Sequence, residues 1–117
     1  KQVHAAVLRA VQHHDLAVNV YGIAATVPDH EDRLWNASDS AHVALDVTPW
    51  IEQKLAAMEC HRTQHVLFKR RRKLQTVREA IRLIESVHRF IPAADNGHAP
   101  DDAFTRLLLE SGGWRVG

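Results

Sequence analysis

Two histidines, His61 and His65, lie four residues apart after the apolar stripe of a predicted helix. Residues at this spacing share one helix face, so both imidazoles are expected on the same side, beside Cys60 and Gln64. This is the spacing of two metal ligands, but a catalytic zinc site takes three protein ligands, and the glutamate of the H-E-x-x-H motif is absent. The alternative is that the pair caps the helix C-terminus or satisfies a buried polar contact, and we assign no metal ligand to it.

A strand and a capped helix are predicted to position this polar cluster. Residues 42–47 place apolar side chains at alternate positions, which is typical of a strand. Thr48 is the expected N-cap of the helix that follows, and Pro49 suits its first position because the φ of proline is already helical. The apolar stripe of this helix lies at i, i+4 and i+7 and consists of Ile51, Leu55 and Met58.

Hydrophobic periodicity predicts the remaining elements. Residues 1–14 and 76–91 have apolar side chains at helical spacing, and Pro92 ends the second of these helices. Residues 16–27 are almost continuously apolar and rich in β-branched side chains, which predicts a strand buried on both faces, as in a parallel sheet. The alternative is a helix, which would contain Gly22 and several valines at a cost in stability. A last helix is predicted over residues 101–111, and its inward face is expected to consist of Phe104, Leu107 and Leu108.

Two polar stretches, residues 28–41 and 92–100, are predicted loops. The first contains Trp35 in an acidic setting, and a loop of this length is often a lid or a substrate-binding loop. The alternative is a solvent-exposed loop whose Trp35 packs back on the core. The second loop contains His98 and precedes the last helix.

Composition bounds the class of protein. The chain has 117 residues, 45% of them hydrophobic and 25% charged, which suits one globular domain with a modest core. The formal net charge of +1 argues against polyanion binding through bulk charge. Five consecutive cations, Lys69 to Lys73, could contact phosphate, but no interleaved aromatic residue or nucleic-acid module accompanies them. A solvated helix face is therefore favoured over a nucleic-acid site.

The sequence also suggests a compartment. The single Cys60 excludes an internal disulfide and fits a reducing environment. No apolar run is long enough to cross a bilayer and no signal-peptide pattern is present, so we expect a cytoplasmic location without a membrane segment. The chain begins at Lys1, inside a predicted helix and without a methionine, so we expect a fragment or a processed chain.

Residues 46–64, D-V-T-P-W-I-E-Q-K-L-A-A-M-E-C-H-R-T-Q, resemble the late segment of the LmbE-like, or PIG-L, family of de-N-acetylases. The family motifs are a D-V-T strand end, a K-x-x-A-L helix and an H-R-[ST]-Q close. Their counterparts here are Asp46 to Thr48, Lys54 with Leu55, and His61 to Gln64. Residues 66–69 resemble the aromatic and basic continuation of the eukaryotic branch. The opening resembles the helix after the family's H-P-D-H motif, and residues 102–104 resemble, more weakly, its E-A-F ending.

The resemblance implies an α/β chain, the C-terminal part of a Rossmann-like fold, with two or three strands flanked by helices. It implies zinc-dependent hydrolysis of an N-acetyl or other N-acyl amide on an amino sugar. The family's A-H-P-D-D-E motif, which supplies two zinc ligands and the general base, has no counterpart in this sequence. The third ligand would precede Lys1. Residues 1–117 would then be the C-terminal segment of a single deacetylase domain, inactive alone, with the N-terminal part of the same enzyme as partner.

The resemblance also suggests roles for particular side chains. Trp35 and His98 are candidate substrate-binding residues, and His61, Gln64 and His4 are candidates for groups that support the zinc ligands. The substrate would be a glycopeptide-antibiotic pseudoaglycone, a thiol pseudodisaccharide conjugate or a glycolipid, and the exposed Trp35 loop favours the antibiotic type. The alternative from another class is a small non-enzymatic module that binds an anionic partner through Lys69 to Lys73.

Overall fold

The structure is a computed structural model that describes residues 2–27, 36–72, 76–94 and 100–116. These residues form two compact units. The first unit comprises residues 1–45 and 86–117, and the second comprises residues 46–85. Helices and strands occur in the same chain, so the predicted mixture of α and β structure is confirmed. Within the described ranges, no helix combines the length and the apolarity needed to cross a membrane.

The first unit is built on a four-stranded sheet whose strand order is β1-β5-β4-β6. The β1–β5 and β4–β6 pairs are antiparallel, and a separate pair, β2–β3, is parallel. The two helices α1 and α5 accompany these strands in the first unit. The bounds of these elements are α1 Gln2–His13, β1 Val20–Ile23, β2 Ala25–Thr26, β3 Asn36–Ser40, β4 Val43–Asp46, β5 Ile84–Ile91, α5 Ala103–Glu110 and β6 Gly113–Arg115.

The prediction of one helix over residues 76–91 is wrong. The helical part is the single turn α4, Val77–Ala80, and the backbone turns extended at Ile81, with φ −69° and ψ 132°. Residues 84–91 form β5 instead. This half of the segment is rich in β-branched and aromatic residues, and two neighbouring strands supply its ladder of hydrogen bonds. Tertiary pairing therefore overrides the helical spacing of the apolar residues.

The prediction of one long, doubly buried strand over residues 16–27 is also wrong. Two short strands occupy the segment, and Ala24, with φ of 62°, separates them. β1 pairs antiparallel with β5, and its last residue, Ile23, is 70% exposed. Leu16 and Val18 are exposed as well. The left-handed turn at Ala24 interrupts the strand, so the apolar run does not become a continuous buried one.

The second unit is helical. Its elements are a 3₁₀ turn at Thr48–Trp50, α2 Ile51–Cys60, a 3₁₀ turn at Arg62–Gln64, α3 His65–Arg72 and α4. Lys54 on α2 donates to the carbonyl oxygen of Arg82 at 2.6 Å and forms an ion pair with Glu85. The Nη2 atom of Arg78 on α4 donates to both carboxylate oxygens of Glu52 on α2, at 3.0 Å each. These contacts hold α2 to α4 and to Arg82 and Glu85 of the same unit.

Thr48 is not the N-cap of α2, contrary to the sequence prediction. The Oδ1 atom of Asp46 accepts hydrogen bonds from the Thr48 backbone N–H at 2.8 Å and from its hydroxyl at 2.6 Å. The chain then makes the 3₁₀ turn, and α2 begins at Ile51 without a side-chain cap. The Asp46 side chain therefore stabilises the turn after β4, whereas the sequence predicted that the Thr48 side chain would cap the helix.

The last helix, α5, is rotated relative to the prediction. Asp102 is its N-cap and accepts from the backbone N–H of Thr105 at 2.8 Å, and Thr105 is fully buried. Phe104 and Leu107, predicted to face inward, are 40% and 57% exposed. Gly112 ends the helix with φ of 93°, and the tail beyond it forms β6.

Candidate functional site: a histidine pair and a buried ion pair on β5

Two clusters of side chains in the first unit meet at three consecutive residues of β5, His88 to Phe90. His88 and Phe90 contact one another, with ring centroids 4.6 Å apart. Arg89, between them, forms an ion pair with Asp102 at 3.0 Å. Successive side chains of a strand point to opposite faces, so β5 separates an aromatic cluster from an ionic cluster.

His42 and His88 are stacked. Their ring centroids are 4.2 Å apart and their planes are inclined by only 24°. His42 directly precedes β4 and is 6% exposed. Its Nδ1 atom accepts a hydrogen bond of 3.0 Å from the backbone N–H of Arg89. Since a backbone N–H can only donate, Nδ1 carries no proton, and the proton of the neutral ring is on Nε2.

His88 has the opposite arrangement of protons. Its Nδ1 atom lies 2.6 Å from the carbonyl oxygen of Ser40. A carbonyl can only accept, so Nδ1 donates this bond and the lone pair of the neutral ring is on Nε2. A backbone carbonyl bonded to Nδ1 is a common way to orient a histidine whose Nε2 acts as a base or a ligand. His88 therefore has the geometry of a positioned base.

His42 is held in its neutral form by its surroundings. Burial lowers the pKa of its imidazole, and repulsion by His88, when that ring is charged, and by Arg89 lowers it further. The bond from the Arg89 N–H requires the same protonation state, because it occupies the lone pair of Nδ1. Hydrogen bonding and electrostatics thus favour the same neutral tautomer.

Phe90 extends the aromatic cluster to α1. The ring of His4 meets Phe90 edge to face, with centroids 4.3 Å apart. The β1–β5 register passes over Phe90, because Val20 is opposite Ile91 and Tyr21 is opposite Arg89. Gly22 leaves room for the Phe90 ring, since a Cβ atom at this position would lie 2.5 Å from Cε2.

The ionic cluster joins β1, β5 and the start of α5. The Tyr21 hydroxyl donates to Oδ2 of Asp102, and Arg89 donates to the same oxygen at 3.0 Å. The side chains of Arg89 and Asp102 are only 14% and 15% exposed. Phe104 packs edge to face on Tyr21 at 4.8 Å.

Burial and hydrogen bonding in this cluster shift the pKa values of Tyr21 and Asp102. Burial raises the pKa of the Tyr21 phenol, and its bond to Asp102 raises it further. For Asp102, burial acts to raise the pKa, but the hydrogen bonds from Tyr21, Thr105 and Arg89 outweigh it and lower the pKa. Asp102 is therefore an ionised carboxylate that accepts from three groups.

The structure places only some of the residues that the sequence singled out. Trp35 and His98 lie outside the described residues, as do residues 28–35 and 95–99 of the two predicted loops. Within the first of these loops, residues 36–40 form β3. His4 is the one member of the set that joins the aromatic cluster.

His61 and Gln64 belong to the second unit and are exposed. The predicted single helix through His65 is wrong, because α2 ends at Cys60 and His61 has ψ of 57°. Gln64 donates its backbone N–H to the carbonyl of His61 at 2.8 Å, and α3 begins one residue later. The break at His61 interrupts the i, i+4 geometry on which the shared helix face depended. His65 instead places Nε2 3.2 Å from the carbonyl oxygen of Met58.

Metal ligation is not supported by the part of the chain that the structure describes. No three or more His, Cys, Asp or Glu side chains there are placed to hold a metal ion. The stacked histidines also present their rings face to face, whereas two ligands of one ion would direct their nitrogen lone pairs to a common point.

Sequence reasoning missed the residues of both β5 clusters as a group. His88 and Arg89 lay in the predicted helix, and Tyr21 lay in the predicted buried strand. The available signal was the sequence V-H-R-F-I, in which polar residues at 88 and 89 interrupt a β-branched and aromatic run. Comparison with protein-family models, with curated proteins and with solved structures returned no match.

Proposed function

We propose that this chain is part of a zinc-dependent hydrolase that removes an N-acetyl or N-acyl group from an amino-sugar conjugate. The observation that carries the proposal is the sequence of residues 46–64, with its D-V-T, K-L and H-R-T-Q segments in the order of the LmbE-like de-N-acetylases. The complete enzyme would have a Rossmann-like fold, and this chain would form its C-terminal part. The antiparallel strands described here would then lie outside the parallel core of that fold.

The local structure of the segment is compatible with this proposal. Asp46 is the last residue of β4 and holds the turn through Thr48. Lys54 is half-buried and is bonded to Glu85, so it is part of the packing of the second unit. His61 and Gln64 lie at the exposed end of α2, where the chain turns toward α3. Both side chains are exposed.

The family resemblance assigns the zinc ligands to residues outside this chain. Among the described residues, no three or more His, Cys, Asp or Glu side chains are placed to hold a metal ion. The roles left for this chain are positioning and binding. The exposed amide of Gln64 can both donate and accept, so it can orient a neighbouring ligand of the zinc ion. The imidazole of His61 can orient a neighbouring ligand through one ring nitrogen.

The test uses the natural polypeptide that contains this sequence. We expect the purified protein to hold about one zinc ion per chain and to release acetate from an N-acetylglucosaminyl conjugate. Conjugates carrying a peptide aglycone, a pseudodisaccharide and a lipid would separate the three substrate types. A metal-free protein that releases no acetate from any of them would overturn the proposal.

A matched pair of variants sharpens the test. Replacing a group that supports a metal ligand typically lowers activity 10- to 100-fold, and we expect Gln64→Ala to fall within roughly this range. Gln53→Ala is the control, because Gln53 is also an exposed glutamine and lies on α2 outside the motif positions. Equal activity of the two variants would remove Gln64 from the proposed site.

A second candidate function is binding of an anionic partner through Lys69 to Lys73. One observation favours it: Arg70 is exposed on α3, which is helical through Arg72, while Lys73 lies outside the described residues. Titration with a polyphosphate at several salt concentrations distinguishes it from the hydrolase. A linear fall of log affinity with log salt would support the anionic partner. An affinity without this slope would exclude it.

A further inference from the structure

His42 links three segments of the first unit through one residue. Its backbone N–H donates to the carbonyl of Val87 on β5 at 2.8 Å, and its carbonyl accepts from Val116, after β6, at 3.0 Å. Its side chain then accepts from the Arg89 N–H at 3.0 Å. The imidazole thus takes the place of a backbone acceptor between the two central strands, β4 and β5.

We propose that His42 is a pH sensor: the bond from the Arg89 N–H to its Nδ1 atom holds β5 to the start of β4 while the ring is neutral, and protonation of the ring breaks it. The Arg89 N–H is a donor in every protonation state of the protein. A protonated Nδ1 is also a donor, so acid would place two donors face to face at 3.0 Å. The opening of this part of the sheet would follow from proton uptake at one atom.

The surroundings of His42 strengthen its response to acid. His88 is stacked on the His42 ring at 4.2 Å, and Arg89, whose guanidinium is paired with Asp102 on the opposite face of β5, acts on the ring through its charge. Both are positive when charged, so a further positive charge on His42 is repelled from both. Behind His88 lie Phe90 and then His4 of α1, and Ser40 faces His88 with its carbonyl oxygen. Burial lowers the pKa of His42, as do His88 and Arg89, so the closed sheet resists the proton that the opened one accepts.

The sign of the effect follows from linkage. An exposed histidine has a pKa of about 6.5, so the opened state binds a proton as the pH falls through about this value. The closed state, with its lowered pKa, does not. The equilibrium constant for opening therefore rises by about tenfold for each unit by which the pH falls between the two pKa values. Below the pKa of the closed state, no further change is expected.

The test is amide hydrogen exchange of the full 117-residue chain, followed by NMR from pH 7.5 to pH 5. After correction for intrinsic exchange, we expect the protection factor of the Arg89 amide in the wild type to decrease as the pH is lowered. His42→Asn should remove this dependence, because Oδ1 of asparagine is at the same distance from the backbone as Nδ1, can accept the same bond and does not titrate. His13→Asn, at an exposed histidine of α1, should leave the dependence unchanged.

Two outcomes would overturn the proposal. One is a wild-type Arg89 amide whose protection does not change with pH. The other is a His42→Asn protein that keeps the wild-type dependence. If His42→Asn does not fold, the ring ¹⁵N shifts of wild-type His42 provide the second measurement. They should show the Nε2–H pattern at pH 7.5 and change only below the pH at which the Arg89 amide begins to lose protection, and an Nδ1–H pattern at pH 7.5 would contradict the assignment.

Discussion

Tyr21 and Arg89 lie opposite one another in the β1–β5 pair, and both donate to the same oxygen atom, Oδ2 of Asp102. The other carboxylate oxygen accepts from the Thr105 N–H in the first turn of α5. One carboxylate therefore joins two strands to the start of a helix. Because both members of the ion pair are largely buried, removal of one leaves the other as an uncompensated buried charge.

Asp102→Ala is expected to destabilise the protein by roughly 3–5 kcal/mol, because it leaves the buried Arg89 guanidinium without its counter-charge. Asp102→Asn retains the helix cap and should separate the charge effect from the capping effect. Asp101→Ala is the control, since Asp101 is exposed and its ion pairs are 3.7 Å long. Urea unfolding measures the difference, and a midpoint for Asp102→Ala equal to that of the control would contradict the prediction.

The lowered pKa of Asp102 predicts that the protein loses stability in acid. Its pKa in the folded protein is lowered, so its contribution to stability is present above the usual pKa of 3.8 and is lost as the pH falls through the lower, folded value. The thermal unfolding midpoint should decline less steeply for Asp102→Asn than for the wild type below about pH 4. Parallel declines would show that other carboxylates account for the acid response.

Gly22→Ala is expected to destabilise the protein by about 1–3 kcal/mol, because the new methyl group would overlap the Phe90 ring. The ring cannot turn away freely, since His4 and His88 contact it. In a Phe90→Ala background the same substitution should be nearly neutral. A double-mutant cycle by chemical denaturation tests this, and additive effects would show that Phe90 is not the obstacle.

Gly113→Ala and Gly112→Ala should differ although the two glycines are adjacent. A Cβ on Gly113 would lie 2.7 Å from the carbonyl oxygen of Leu108 and 2.8 Å from that of Ala44, and both are backbone atoms that cannot step aside. We expect a loss of about 3 kcal/mol or more. Gly112 has open space but a φ of 93°, so its replacement should cost about 1–2 kcal/mol of backbone strain. The reverse order of unfolding free energies would be inconsistent with this geometry.

Thr76→Ala should destabilise the second unit by about 1 kcal/mol. Thr76 and Glu79 form a reciprocal capping box at the start of α4, with Glu79 accepting from the Thr76 N–H at 2.9 Å. Thr48→Ala is the matched control, because the Thr48 hydroxyl bonds only to the exposed Asp46 and caps no helix. Circular dichroism during urea unfolding gives both values. A larger loss for Thr48→Ala would restore Thr48 as the helix cap.

Sequence periodicity predicted the elements whose apolar residues have a single period. The α1 helix, the strand at β4 and the first turns of α5 follow from such patterns. It failed at β5, where apolar residues suit both a helix and a strand, and only the partners β1 and β4 decide between them. It failed again at His61, where the backbone leaves the helix although no proline or glycine marks the position.

The candidate site could not be predicted for a related reason. His42 and His88 are separated by 46 positions, and their contact depends on the strand order of the sheet. Asp102 resembled a family ending in the sequence, but its contacts with Tyr21 and Arg89 arise only when α5 begins beside the β1–β5 pair. Residue type identified candidates on single elements, whereas both clusters are made across elements.

The alternation along β5 restricts how the length of this segment can vary. His88 meets the aromatic cluster and Arg89 meets Asp102, and these partners lie on opposite faces of one strand. Loss or gain of a single residue before position 88 would exchange the two faces, which would turn the guanidinium toward the imidazoles and the imidazole toward the carboxylate. Substitutions in this strand can therefore accumulate one at a time, whereas insertions and deletions would have to occur in pairs or be absorbed by the turn before Ile84.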